Sequence, residues 1–192
     1  QVTSGGTAYP LEEPFLVLAT QNPIENEGTY PLPEAQLDRF LLKVRVGYPS
    51  RDDEREVLLR MASGESIPVR RLLEPATILA ARKAIAGLHI DARLVDYIVD
   101  LVRVTRDPKG KGLDSLAPLV AFGASPRATL ALAQAARAHA FLRGRTFVTP
   151  DDVRALAPDV LRHRIVLTFE AEAESVDTDE VVARVLEAVP AP

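Results

Sequence analysis

Apolar and polar positions follow two different rhythms along this chain. Residues 15–19, FLVLA, form a continuous apolar run between Pro14 and Asn22-Pro23, the pattern of a strand buried on both faces. Leu42, Val44 and Val46 alternate with Lys43 and Arg45, which predicts a second strand with one wetter face. Near the start, Val2-Thr3-Ser4 and Thr7-Ala8-Tyr9 flank Gly5-Gly6, a two-glycine turn that predicts a β-hairpin because glycine reaches positive φ without steric cost. Between the two longer runs, Pro31 and Pro33 punctuate a loop. Pro33 and Glu34 then suit the first turn of a helix over 33–40, with Leu37, Phe40 and Leu41 sharing its buried face. Ser50-Arg51-Asp52-Asp53 predicts a capping-box start to a helix through about Ser63, with Val57, Leu58 and Met61 inward.

From Thr77 onward the period becomes helical. Leu94, Ile98, Leu101, Val102 and Thr105 fall on one face while Asp96, Asp100, Arg103 and Arg106 lie largely opposite, so one stripe is buried and the other solvated. Residues 107–124, rich in Gly, Lys and Pro, read as a loop. Ser125-Pro126 starts an Ala-rich helix to about Leu142, Thr149-Pro150 starts another near 150–157, and Thr178 precedes a last one from Val181 to Val189. Residues 165–169 fit either a helical extension or a short strand. The pattern divides the chain into a partial α/β piece over 1–63, a linker over 64–75 containing Gly64, Pro68 and Pro75, and an all-helical piece over 76–192.

Composition narrows the classes. With 47% apolar and 26% charged residues the chain can bury a core. A net charge of −4 gives no overall footprint for nucleic acid. No cysteine is present, which removes disulfide, thiol and thiolate-metal chemistry and suits a reducing compartment. The apolar runs fall short of the roughly 18–20 residues that span a bilayer. No leader pattern precedes the first strand, and since the only methionine is Met61, Gln1 is not expected to be the natural start. No metal site is expected, because His89, His139 and His163 are widely separated and none has ligand spacing.

Three residues stand out as candidates. Asn22 follows an apolar strand and precedes Pro23, so its amide sits at the edge where ligands of open sheets collect. It can donate to a phosphate oxygen and accept from an attacking water, or simply close an Asx turn. Arg39 lies on the short helix beside residues turned inward, free to reach across a surface toward a transferring phosphate or to pair with Asp38, Glu34 or Glu25. Arg127 lies in the first turn of the helix that begins at Ser125, where a cation is disfavoured unless a phosphate, helped by free backbone N–H groups, or a nearby carboxylate offsets the dipole. Lys109 and Lys111 among glycines only weakly imitate a phosphate loop, and a flexible turn is the better reading. No G-x-x-x-x-G-K-[ST] occurs in the 192 residues.

The runs ATQNPIENEGTYPLPEAQLDRFLL and GASPRATLALAQAARAHAFLRGRTFVTPDDVRALAPDVLRHRI closely resemble the MoxR-type AAA+ ATPases. The resemblance covers almost the whole chain. It implies the fold class α/β plus all-α, a C-terminal fragment of an AAA+ α/β core followed by a helical lid. By the same resemblance Asn22 looks like the sensor 1 residue that positions the hydrolytic water. Arg39 resembles the arginine finger offered to a neighbouring subunit, and Arg127 the sensor 2 residue of the lid. The implied cofactor is ATP with Mg²⁺ in the full-length protein, with none held tightly by this chain alone, since the Walker A and B residues would lie upstream. The implied partners are neighbouring subunits of a homo-oligomeric, hexameric ring and a client or von Willebrand factor A domain protein, in the cytoplasm, with no nucleic acid and no membrane insertion. Two rival readings are a non-catalytic interaction module derived from such a protein, which the missing phosphate machinery favours, and a DNA-handling AAA+ subunit, which the acidic balance opposes.

Overall fold

The computed structural model describes residues 1–21, 32–62, 68–109 and 112–192. Contacts group the chain into two units, residues 1–17 with 44–82 and residues 18–43 with 83–192, and each is described by itself.

In the first unit, β1 (Val2–Ser4) and β2 (Thr7–Tyr9) pair antiparallel with Val2 opposite Tyr9. Gly5 and Gly6 both have positive φ, as a two-residue turn matched to strand twist requires. Helix α2 (Arg51–Ala62) starts where the capping pattern places it. The Asp53 N–H donates to Ser50 Oγ, and the Ser50 N–H and hydroxyl donate back to Asp53 Oδ2. Its apolar residues are not inward. Val57, Leu58 and Met61 are exposed, and α2 buries no residue. This unit also holds most of α3 (Pro75–Ala86).

The second unit carries α1 (Glu34–Leu37), shorter than the predicted 33–40, with a turn continuing to Phe40. Leu37 and Phe40 are half-buried, but Leu41 is exposed. The core is helical: α4 (Ala92–Arg106), α5 (Pro126–Leu142), α6 (Pro150–Leu161) and α8 (Thr178–Ala188), with the short α7 (Phe169–Ala173) beside them. Helix α5 packs most extensively on α6 and also on α4, while α8 packs on both α4 and α6. The five apolar-face positions expected of α4, Leu94, Ile98, Leu101, Val102 and Thr105, are all buried. Helix α5 contributes Ala128, Ala131, Ala135, Ala136 and Ala140, small side chains that let its neighbours approach closely.

Two expected strands are absent. Residues 15–20 and 41–50 carry no strand pairing, because a strand exists only through hydrogen bonds to a neighbour and the described residues offer none there. Where a partner exists, even a short segment pairs. β3 (Val120–Phe122), inside the stretch read as loop, runs antiparallel to β4 (Val166–Leu167), which settles residues 165–169 as strand followed by helix. Helix α6 runs through Pro158 to Leu161 rather than stopping at 157. An interior proline costs about 3 kcal/mol. Burial of Val160 and Leu161, at about 1.5–3 kcal/mol each, offsets it.

Candidate functional site

The segment after α1 turns at Asp38-Arg39-Phe40 and meets the start of α5 and the end of α6, all within the second unit. The start of α5 is held from beneath. Thr105 Oγ1 donates to the Val102 carbonyl and accepts the Ala124 N–H, joining the end of α4 to the strand that leads into α5. Gly123 is required there, since a Cβ would lie 2.3 Å from the Thr105 carbonyl oxygen and 2.6 Å from the Arg106 nitrogen, both rigid backbone. Ser125 then caps α5, its Oγ accepting the Arg127 N–H, and Pro126 follows as the first helical residue.

Asp38 is the hub. Its Oδ2 accepts from Arg127 Nη1 at 2.9 Å, its Oδ1 from Arg164 Nε at 3.1 Å, and the Ser125 hydroxyl lies 3.0 Å from both oxygens. Burial pushes the Asp38 carboxyl up, but hydrogen bonds from Arg127 and Ser125 and the Arg164 charge outweigh it and hold the pKa below the usual carboxylate value. The two arginines differ in how firmly they are committed. Arg127 is 60% exposed, and a pair of that kind contributes under about 1 kcal/mol, so a competing anion can draw it away. Arg164 is 2% exposed, where losing a partner costs about 3–5 kcal/mol.

Of the three predicted residues, the structure brings two into one place. Arg127 meets the carboxylate alternative for its position, with Asp38 as the offsetting acid. The expected free N–H groups are already engaged: Arg127 N–H donates to Ser125 Oγ, and Ala128 N–H to the Ser125 carbonyl. An anion would therefore be met by the guanidinium rather than by the backbone. Arg39 is exposed, and among the described residues its side chain makes no hydrogen bond or ion pair. Of its three expected partners, Asp38 is occupied by Arg127 and Arg164 instead, and Glu25 lies outside the described residues. Asn22 lies outside the described residues.

What the sequence did not show is that Asp38 pairs with Arg127 and Arg164, and that the run Arg162-His163-Arg164 just beyond α6 binds the turn. Arg164 donates through every N–H of its guanidinium: Nε to Asp38 Oδ1, Nη2 to the carbonyls of Asp38 (3.1 Å) and Phe40 (2.5 Å), and Nη1 to those of Leu41 (3.2 Å) and Val160. His163 Nε2 adds a second donor to the Phe40 carbonyl at 3.1 Å. Arg162 Nη1 reaches the Lys43 carbonyl at 2.6 Å, and the Lys43 N–H donates to the Asp159 carbonyl at 2.8 Å. Three consecutive basic residues thus clamp the backbone of 38–43. The signal was present as RHR directly after a helix, but charge alone does not say that the targets are carbonyl oxygens.

A second polar cluster serves the fold. Buried Asp152 accepts from Arg145 and from the Thr149 N–H, and lies 2.6 Å from His139 Nδ1. Burial raises its carboxyl, and the Arg145 and Thr149 hydrogen bonds more than reverse this, holding it well below the carboxylate range. Among the described residues no group of three or more His, Asp or Glu could hold a metal ion, and no helix is long and apolar enough to cross a membrane.

The arrangement leaves two guanidinium groups within reach of an anion, the exposed Arg127 beside Asp38 and the exposed Arg39 on the turn, while Arg164 is fully committed. Similarity to known proteins points the same way. The AAA lid domain family matches residues 115–185, and the ATPase family associated with various cellular activities (AAA) matches residues 1–42. Chaperone MoxR1 of Mycobacterium tuberculosis is 48% identical over the whole chain, and protein MoxR of Paracoccus denitrificans is 36% identical over 79% of it. The chain belongs to the MoxR-type AAA+ ATPases. It has their C-terminal portion, and its mixed, helix-rich fold matches a solved structure of a Cytophaga hutchinsonii protein described as an ATPase. That match has a TM-score of 0.92 and 43% identity over 100% of this chain and 58% of that one. The chain spans about half the length of the curated MoxR relatives, 50% of the Mycobacterium protein and 48% of the Paracoccus one.

Proposed function

We propose that this chain supplies the sensing and trans-acting residues of a ring ATPase whose turnover remodels or matures a client protein. In this reading Arg39 reaches the nucleotide held by a neighbouring subunit and stabilises charge on the transferring phosphoryl group. Arg127 leaves Asp38 to contact the γ-phosphate from the lid, and Asn22 orients the attacking water. ATP with Mg²⁺, when bound, supplies the phosphorus centre and neutralises charge on its oxygens. The neighbours are further copies of the same protein in a hexameric ring, and the client, or a von Willebrand factor A domain protein, is acted on in the cytoplasm.

The observation that carries the reading is the division of labour around Asp38. Its carboxylate is used by Arg127 and Arg164, leaving Arg39 exposed with no side-chain partner among the described residues. An arginine flanked by a carboxylate yet not paired with it is spared for another anion. The full-length protein tests this. Arg39→Ala lowers ATP turnover on the order of 10³-fold or more, as removal of an arginine finger does. Mixing it with subunits disabled in the phosphate-binding loop restores turnover, since an intact finger then faces an intact nucleotide site. Wild-type turnover in Arg39→Ala would overturn the assignment and favour a non-catalytic interaction module.

A further inference from the structure

The strongest unassigned feature is the carbonyl clamp beneath Arg39. Arg164 bonds the backbone carbonyl of the residue before Arg39 and of the two residues after it, and adds an ion pair to the side chain of Asp38. Its fifth N–H returns to the Val160 carbonyl, which anchors the guanidinium to α6. The Arg39 N–H donates to the Gln36 carbonyl, so the turn is closed from its own side as well. With all donors used and a side chain 2% exposed, Arg164 has no capacity left for a ligand. Its geometry serves one purpose that its neighbours do not, which is to fix the turn on both sides of an arginine whose own side chain is unrestrained.

We propose that Arg164 is the positioning residue for Arg39. It ties the turn bearing the finger to the end of α6, so that the guanidinium of Arg39 is delivered to one place rather than swept through many. The proposal rests on the finger reading of Arg39. A long flexible cation is useful to a transition state only if its origin is fixed, because misplacement by about 1 Å costs on the order of 10²-fold in rate. Lysine cannot replace Arg164, since a single nitrogen cannot reach carbonyls spread over residues 38, 40 and 41.

The experiment uses the full-length assembled protein with ATP as the probe. Arg164→Lys keeps the buried positive charge beside Asp38 and lowers kcat by about 10²-fold, with KM for ATP unchanged within about twofold. The Arg39→Ala, Arg164→Lys double variant is no slower than Arg39→Ala alone, because Arg164 acts through Arg39. Independently of turnover, trypsin cleaves after Arg39 several times faster in Arg164→Lys than in wild type, in protein whose other tryptic sites are unchanged. Loss of turnover in Arg39→Ala together with full turnover in Arg164→Lys overturns the positioning role and leaves the finger reading intact. Full turnover in Arg39→Ala overturns both. Multiplicative losses in the double variant also overturn the role, showing that Arg164 acts elsewhere. If Arg164→Lys does not assemble, Arg164→Gln is read by the same three measurements, since its amide keeps one donor group for the carbonyls without a buried charge and leaves Asp38 to Arg127 and Ser125.

Discussion

At the scale of single residues, His163 shows how a buried base can make the clamp sensitive to acid. Its Nε2 donates to the Phe40 carbonyl, and Nδ1 is buried with no partner among the described residues. Burial lowers its pKa to about 4, the Phe40 hydrogen bond opposes this, and the charges of Arg164 and Lys43 reinforce it against Asp38. A base depressed from 6.5 binds its proton more readily when unfolded. The stability it contributes is therefore whole above pH 6.5 and is lost as pH falls toward 4, amounting to about 3 kcal/mol across that window. Melts at pH 7 and pH 5 measure the effect, and His163→Gln, which cannot ionise, loses less stability over that interval than wild type. Asp38 contributes in the same direction at lower pH: its depressed pKa gives stability that is present above the ordinary carboxylate value and lost as pH falls through the folded one.

At the scale of elements, the sequence was legible wherever the local signal and the burial agreed. Helix α5 begins at Pro126 and ends at Leu142 as its Ser-Pro start and alanine run predict, and the apolar face of α4 is the buried one. The hairpin followed from two glycines that both take positive φ. What could not be read was pairing between distant segments. β3 and β4 are short and unremarkable in sequence, and they exist because the strand before α5 and the strand after α6 lie side by side. Gly123, between β3 and α5, expresses the same dependence. Gly123→Ala places a methyl against the Thr105 and Arg106 backbone and costs about 1–3 kcal/mol, measurable as a lower melting temperature. Because the Ala124 N–H is held by Thr105, that variant also shifts the start of α5, and on the role proposed for Arg127 the nucleotide affinity of the full-length protein falls with it.

At the scale of the whole molecule, the candidate site was half visible in advance. Arg39 and Arg127 were singled out as candidates by position and resemblance, whereas Asp38 and Arg164, far apart in sequence, become partners only through the fold. The expected strands at 15–19 and 42–46 carry the complementary lesson, since apolar pattern defines a strand only when another strand is there to bond it. Leu18 and Val46 are 85% and 92% exposed, and Leu58 and Met61 on α2 are exposed as well. Apolar area of this kind is normally covered. The 192-residue chain alone binds a hydrophobic dye such as ANS strongly, and the full-length protein binds far less per molecule. Equal dye binding would show that the rest of the protein leaves these side chains bare.

The alanine stripe of α5 carries a consequence for where damaging substitutions will fall. Among the described elements α6 packs most extensively on α5, and the clamp on the turn that bears Arg39 hangs from the end of α6. A side chain enlarged within that buried stripe, well past the first turn of α5, would tilt its neighbour and carry the clamp with it. On the proposed function, losses of turnover should therefore trace to remote, chemically inert alanines as well as to the arginines themselves.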